Sequence, residues 1–420
     1  MAGGTVGAEG KAFIPSQKYS PGKTDPAPYS LEVTKMSCGN TCVRPFIPIR
    51  KNYDGKVTTI WTNKDPEWLV WGFVGDGKLR KFRIKAQFEF NDNIGNKVPV
   101  QVEAECDTRQ RGYVSLGISD EVVVVRENRN DRHYYPKKTV EATFTFDSFD
   151  FEGFSKRTAR FTWKFKDTNG TWTDMKNRQT VTVYFIPSCP NMPWEVNKDN
   201  NDQNPWTDVL DMLLVWGVAG KSFPSVISSR ITTYINSSVN FPYDTYGGGN
   251  TILSRNNVLK LSKFISDVKQ GNPMIGNCSD CATLVRTLSN ILGADLMQIR
   301  FGEASFKCNK IMTIGSGEWK YPFEDIGGDG FRYHEIASTG ITHDRKVYDA
   351  CLKVNRNALR PEAAMNAELP ADTQFALFRD GEYRLLTSTD AIKYREKLIY
   401  NAVADLNNGS YTGKRECSMV

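Results

Sequence analysis

Between about residue 55 and residue 187 the apolar side chains recur at every second position. Phe82, Ile84, Ala86, Phe88 and Phe90 alternate with Arg83, Lys85, Gln87 and Glu89. Val140, Ala142, Phe144 and Phe146 repeat the pattern, as do Ala159, Phe161, Trp163 and Phe165, then Val181, Val183 and Phe185. Successive side chains of a strand point to opposite faces, so a period of two buries one face and wets the other, as in antiparallel sheets. Several such strands, separated by polar turns bearing Gly or Asn, predict an N-terminal antiparallel β-sandwich. After residue 187 the period changes. Val209, Leu210, Leu213 and Trp216 share one helical face, and residues 224–238 and 257–269 predict two further helices. The fold class is therefore α+β.

A chain of 420 residues is long for one domain. Residues 1–29, rich in Gly, Ala, Pro, Ser and Lys, read as a flexible leader, and 30–190 as the β-sandwich domain. Pro187, Pro190, Pro193 and Pro205 surround the polar tract VNKDNNDQN, which marks a linker over 191–206. The second domain is expected over 207–420. Asn204 is placed to cap its first helix, with Pro205 at the first helical position. Tyr246-Gly247-Gly248-Gly249-Asn250 reads as a mobile loop that borders any cleft nearby. Toward the end, QFALF predicts a closing strand and residues 391–405 a helix, while Cys417-Ser418-Met419-Val420 reads as a frayed polar tail rather than a prenylation box.

Charge narrows the function classes. Fifty-four Lys and Arg against 48 Asp and Glu give a net charge of +6, too weak over this length for a nucleic-acid footprint. No apolar run reaches a membrane span; the stretch VLDMLLVWGVAG stops short and contains Asp211. No apolar signal segment opens the chain, so a cytoplasmic protein is expected, with its 9 cysteines mostly as thiols. Cys38 with Cys42 and Cys278 with Cys281 form close pairs, but the first has no His nearby and a zinc site is not expected. Asp325 and Asp329 in DIGGDG read as a polar turn, not as calcium ligands. No cofactor is called for.

The sharpest segment is Gly276-Asn277-Cys278-Ser279-Asp280-Cys281-Ala282. After it Leu284, Val285, Leu288, Ile291 and Leu292 keep helical spacing, and Gly293 is a natural stop. A buried helix thus starts at about Asn277 with Cys278 in its first turn, where unpaired N–H groups and the helix dipole favour a thiolate. Downstream, Phe331–Ser338 and Arg345–Leu352 read as strand, turn, strand. A hairpin centred between Ile341 and Thr342 sets His334 directly opposite Asp349, and a slip of two residues still leaves both on one face. His343 falls in the turn and reads as solvated. With only 3 His in the chain, a cysteine at a helix start and a His–Asp pair form the parts list of thiol nucleophilic catalysis.

These residues resemble the transglutaminase-like superfamily, whose papain-like core opens its central helix with Gly-x-Cys-x-Asp-x-Ala and carries a His strand followed by an Asp strand. Gly276, Cys278, Asp280 and Ala282 match the first motif, and His334 and Asp349 the second, over roughly residues 205–355. Ile336 stands where members often have an aromatic residue, and Ala350 where many have Pro. The resemblance implies a papain-like α+β core with Cys278 as nucleophile, His334 as general base and acid, and Asp349 as orienter. The expected function is acyl transfer on amide bonds of a protein or peptide substrate, most readily hydrolytic as a protease or deamidase. Cross-linking to an amine is the alternative. Two other classes stay open: dithiol redox chemistry through Cys278 and Cys281, and a catalytically silent scaffold that docks a partner through the β-sandwich.

Overall fold

The computed structural model describes residues 31–39, 46–55, 60–62, 69–75, 78–79, 82–90, 98–107, 113–118, 122–124, 139–146, 149–150, 153–166, 171–175, 178–194, 203–254, 256–301, 305–339, 346–354, 398–400, 412–414 and 417–420. The leader over 1–29, His343 and the QFALF strand lie outside the described residues. The protein is mixed α+β, with several small sheets and few helices. The chain divides into two compact units, residues 1–49 with 56–186, and residues 50–55 with 187–420. No helix among the described residues is long and apolar enough to cross a membrane.

The first unit is built from strands. One antiparallel sheet orders them as Thr139–Phe146, Phe82–Phe90, Leu31–Gly39 and Ile60–Thr62. An eight-stranded sheet runs through Phe46–Ile47, Leu69–Val74, Gln179–Ile186, Ser155–Lys166, Val98–Asp107 and Tyr113–Ile118, with two short strands attached. The period of two is met as burial: Ile84, Ala86 and Phe88 are enclosed, as are Ala159, Phe161, Trp163 and Phe165. Phe88 and Phe144 of the first sheet meet Trp163 of the second, with ring centroids 5.5 and 5.2 Å apart. The Trp163 indole N–H is satisfied by buried Gln179.

The expectation of purely antiparallel pairing needs correction. Gln179–Ile186 runs parallel to Leu69–Val74. These strands are far apart in sequence, so no hairpin dictates their direction. Leu69–Val74 is buried at every position, the continuous pattern of a strand covered on both faces, and alternation could not have found it.

The second unit surrounds one helix. The helices are α1 (Thr207–Leu213), α2 (Pro224–Ser238), α3 (Leu261–Gln270) and α4 (Cys278–Asn290). Every residue of α4 is buried. It lies against α2 and against a sheet ordered Val347–Tyr348, His334–Ser338, Met297–Phe301 and Thr412–Lys414. Two of its polar side chains are tied to the neighbouring strand segment: Thr283 Oγ1 donates to Gln298 Oε1 at 2.9 Å, and Asn290 Nδ2 to the Leu296 carbonyl at 2.9 Å. Gly293, at φ +88°, ends the helical run with no room for a Cβ beside Ser188.

Several local expectations shift. The first helix begins at Thr207, not Pro205, because Pro205 and Trp206 pair with Arg50: Arg50 N donates to the Pro205 carbonyl at 3.0 Å and Thr207 N to that of Arg50 at 2.8 Å. Within the segment read as a linker, Trp194 is fully buried and its indole donates to the Thr287 carbonyl of α4 at 2.7 Å. The C-terminal tail is not frayed. Ser418–Met419 forms a parallel pair with Val258–Leu259, and Cys417 and Met419 are buried. That pairing claims residues expected in α3, which therefore starts at Leu261. Of the helix expected over 391–405, only 398–400 are described, and there Ile399 bridges antiparallel to Cys308.

Candidate functional site

The site starts at the first turn of α4. Asn277 is the N-cap, extended at φ −134°, and its side chain accepts from Asp280 N at 3.1 Å. Asp280 reaches back to Asn277 N at 3.2 Å, completing a capping box. Cys278 is therefore the first helical residue. It is buried, and it sits where the helix dipole is positive. Gly276 is required by packing. A Cβ there would overlap the Phe241 ring and stand 2.9 Å from Asp280 Oδ2.

Opposite this turn lies the His strand. His334 is fully enclosed, and its Nε2 is 2.9 Å from Asp349 Oδ2, itself buried. The hairpin register differs by two residues from the expected one. Ala337 pairs with Tyr348 and Ser338 with Val347, so Asp349 lies diagonally from His334 rather than directly across. A two-residue shift preserves the face, and the bond forms. Asp349 Oδ1 accepts from Cys351 N at 2.8 Å and Leu352 N at 3.3 Å, which fixes the carboxylate.

Electrostatics follow from this enclosure. Burial alone would push His334 down, but the Asp349 charge and hydrogen bond, with the influence of nearby Cys278, raise it to about 10. The Cys278 thiol is near enough to the imidazole for the two to influence each other electrostatically. Nε2 is the ring nitrogen engaged by the carboxylate. The Phe331 ring stacks on that of His334 at 5.1 Å and 27°, limiting its rotation.

Tyr243, Phe331, Cys351 and the role of Asp280 escaped sequence reasoning. Tyr243 is nearly enclosed; burial, then the charges of Cys278, Cys351, Cys281 and Asp349, push its phenol well above the ordinary tyrosine value. It stays a neutral donor in the vicinity of the thiol. The influence of Cys351 would lower Cys281, but burial and neighbouring charges raise it. Burial likewise pushes Cys351 well up. A cavity of about 190 Å³ adjoins Tyr243, with Ile314, Tyr321 and Phe323 also in its wall. Phe323 packs on Phe331 at 5.8 Å, which connects the cavity wall to the histidine. Nothing in the sequence announced Tyr243; Cys351, two residues past Asp349, was the one visible hint.

The glycine loop is held rather than loose. Asp244 accepts from Tyr246 N, Gly247 N and Gly249 N at 3.0, 2.9 and 2.7 Å, and these donors, Gly247 first, hold its carboxyl below the usual range. Asn277 Nδ2 donates to the Gly248 carbonyl at 2.6 Å. Asp280 accepts from Thr251 N and Ile252 N at 3.2 Å each and from Leu253 N at 2.6 Å. Burial pushes Asp280 up to about 6, against the pull of those three donors and of Asn277 N.

Among the described residues no group of three or more His, Cys, Asp or Glu is arranged to hold a metal. Asp325 is 3.8 Å from the Lys320 ammonium and Asp329 2.7 Å from that of Lys307.

No protein-family model matches the chain, and no curated protein sequence matches it. Among solved structures it is similar to the transglutaminase of red sea bream, at 12% identity and a TM-score of 0.33, over 75% of this chain and 50% of that one. It thus spans half the length of that enzyme. It is also similar to murine CRIg, at 10% identity and a TM-score of 0.15, over 28% of this chain and 91% of that one. The N-terminal domain of PorA is similar at 11% identity and a TM-score of 0.15, over 37% of this chain and 97% of that one.

Proposed function

We propose that this chain is a cysteine-dependent acyl-transfer enzyme acting on amide bonds of proteins or peptides, with a transglutaminase-like catalytic unit over 207–420. The observation that supports it best is the meeting of three side chains from three separate elements. Cys278 opens a buried helix that packs against the His334 strand, close enough to the imidazole to influence it, and Asp349 holds that imidazole at 2.9 Å.

In this reading the nucleophilic form of the cysteine is its thiolate, and His334 stands beside the sulfur to hold and return the proton. Cys278 Sγ attacks the amide carbonyl carbon, and the oxygen takes the negative charge. Asp280 N and Cys281 N are spent on Asn277, so the N–H groups of Cys278 and Ser279 are the first-turn donors left to hold that oxyanion. The C–N bond then breaks, and His334 passes its proton to the leaving amine. Water attacks the thioester, His334 takes a proton from it, and the thiolate leaves with the acid released. An amine in place of water gives cross-linking. Hydrolysis is the favoured outcome, since aminolysis needs water kept out of the site.

Dithiol chemistry is the weaker reading. Cys281 is enclosed, which withdraws it from exchange with an external thiol or disulfide. The two sheets of the first unit, meeting at Trp163, fit a β-sandwich that docks a partner or substrate protein. In the silent-scaffold alternative only that docking would remain.

The test is site-resolved alkylation of Cys278 by iodoacetamide against pH, in wild type and His334→Ala. Fast reaction well below pH 8, lost in the variant by a factor of about 100 or more, is expected for a Cys–His pair. A thiol that reacts no faster than exposed Cys189, with no response to His334→Ala, would sink the enzyme reading.

A further inference from the structure

The loop from Asp244 to Leu253 is fastened to the nucleophile's helix mainly through one side chain. Asp280 takes four backbone N–H groups: Asn277 at the helix start, and Thr251, Ile252 and Leu253 in the loop. It is fully buried, so water cannot replace these partners. Both carboxylate oxygens are used. Oδ2 joins Asn277 N to Thr251 N, and Oδ1 holds Ile252 N and Leu253 N. Asn277, adjacent to Cys278, adds a fifth tie through its amide to the Gly248 carbonyl. Beyond these ties the Gly248 region approaches Phe323, whose ring packs on the Phe331 that stacks against His334.

From this geometry we infer that Asp280 is a positioning residue: its carboxylate locks the 244–253 loop to the first turn of α4 and thereby sets the orientation of Cys278 toward His334. The inference rests on the acyl-transfer reading for its catalytic consequence, though not for the anchoring itself. An amide cannot substitute. The Asp280→Asn side chain presents an NH2 group to two of the N–H donors, so at least two bonds become donor against donor. Alanine loses all four.

The experiment uses the full chain and compares wild type, Asp280→Asn, Asp280→Ala and Asn277→Ala. Hydrogen exchange is followed for Thr251–Leu253 and for the His334–Ser338 strand, together with the pH profile of Cys278 alkylation. In Asp280→Asn we expect the three loop amides to exchange about tenfold faster or more, a loss of about 1.4 kcal/mol. The strand amides should stay protected, and Cys278 alkylation should change at least severalfold with an altered pH profile. Asn277→Ala, which removes the Gly248 tie and the cap, should move both readouts the same way by less. It serves as the folded test if the Asp280 variants do not fold. Unchanged loop exchange and alkylation in Asp280→Asn, or in Asn277→Ala where only that variant folds, would overturn the inference. So would loss of protection spread evenly over loop and strand, which means a general structural role. Failure of the enzyme reading looks different: wild-type Cys278 reacts like Cys189 whatever the variant, and loop exchange alone then judges the anchoring.

Discussion

The substitution Asp349→Asn removes a charge from a pair that water cannot reach. His334 is raised from 6.5 to about 10 in the folded protein, chiefly against its own burial and by the Asp349 carboxylate. At about 1.4 kcal/mol per pKa unit, this corresponds to about 5 kcal/mol of preference for the charged imidazole. The sign is fixed by linkage. A pKa raised on folding gives stability that is fully present below about 6.5 and is lost as the pH rises through about 10. At pH 7, just above the unfolded value, most of it is in place. The substituted amide can still accept from Cys351 N but cannot hold the imidazolium, so the expected cost at pH 7 is about 3–5 kcal/mol, as for other broken buried pairs. Toward pH 10.5 the wild type loses its own share, and the difference between the two proteins should shrink. Urea unfolding followed by tryptophan fluorescence at pH 7, 8.5 and 10.5 measures it. The other groups near the pair, Tyr243, Cys281 and Cys351, are all shifted upward. A cost under about 1 kcal/mol at pH 7, or one that stays constant across the range, would refute the assigned coupling.

Other consequences follow from single contacts. Gly276→Ala must push a methyl into Phe241 and Asp280, so a loss of about 1–3 kcal/mol is expected, with slower Cys278 alkylation; thermal unfolding and mass spectrometry read both. Cys281→Ala deletes a small buried group and should cost about 1 kcal/mol while leaving Cys278 alkylation in place. Abolished alkylation would favour dithiol chemistry instead. Trp163→Ala empties the meeting point of Phe88 and Phe144 and should cost the first unit about 3–5 kcal/mol in urea titration; a loss below about 1 kcal/mol would deny that contact a place in the core.

What could be read from the chain was what short-range physics writes into it. Alternation at Ile84, Ala86 and Phe88 and at Phe161, Trp163 and Phe165 requires strands with one buried face, and those residues are buried. The helix after Gly276 is announced by its apolar spacing and stopped by Gly293, so the first-turn place of Cys278 was legible. The His334–Asp349 face survived a register error because side-chain direction repeats every two residues.

Tertiary closure decided the rest. Leu69–Val74 has no alternation and pairs parallel with a strand far along the chain. Arg50 reaches Pro205, and the last residues add a strand beside Val258, because unpaired backbone groups find partners wherever the packed chain brings them. Tyr243 gained its place near the thiol only by such closure. The sequence by itself determined the period of each segment and the order of Cys278, His334 and Asp349. Only the folded chain decided which distant residues enclose them, since burial, and the energy of a charge within it, belong to the surroundings and not to the residue.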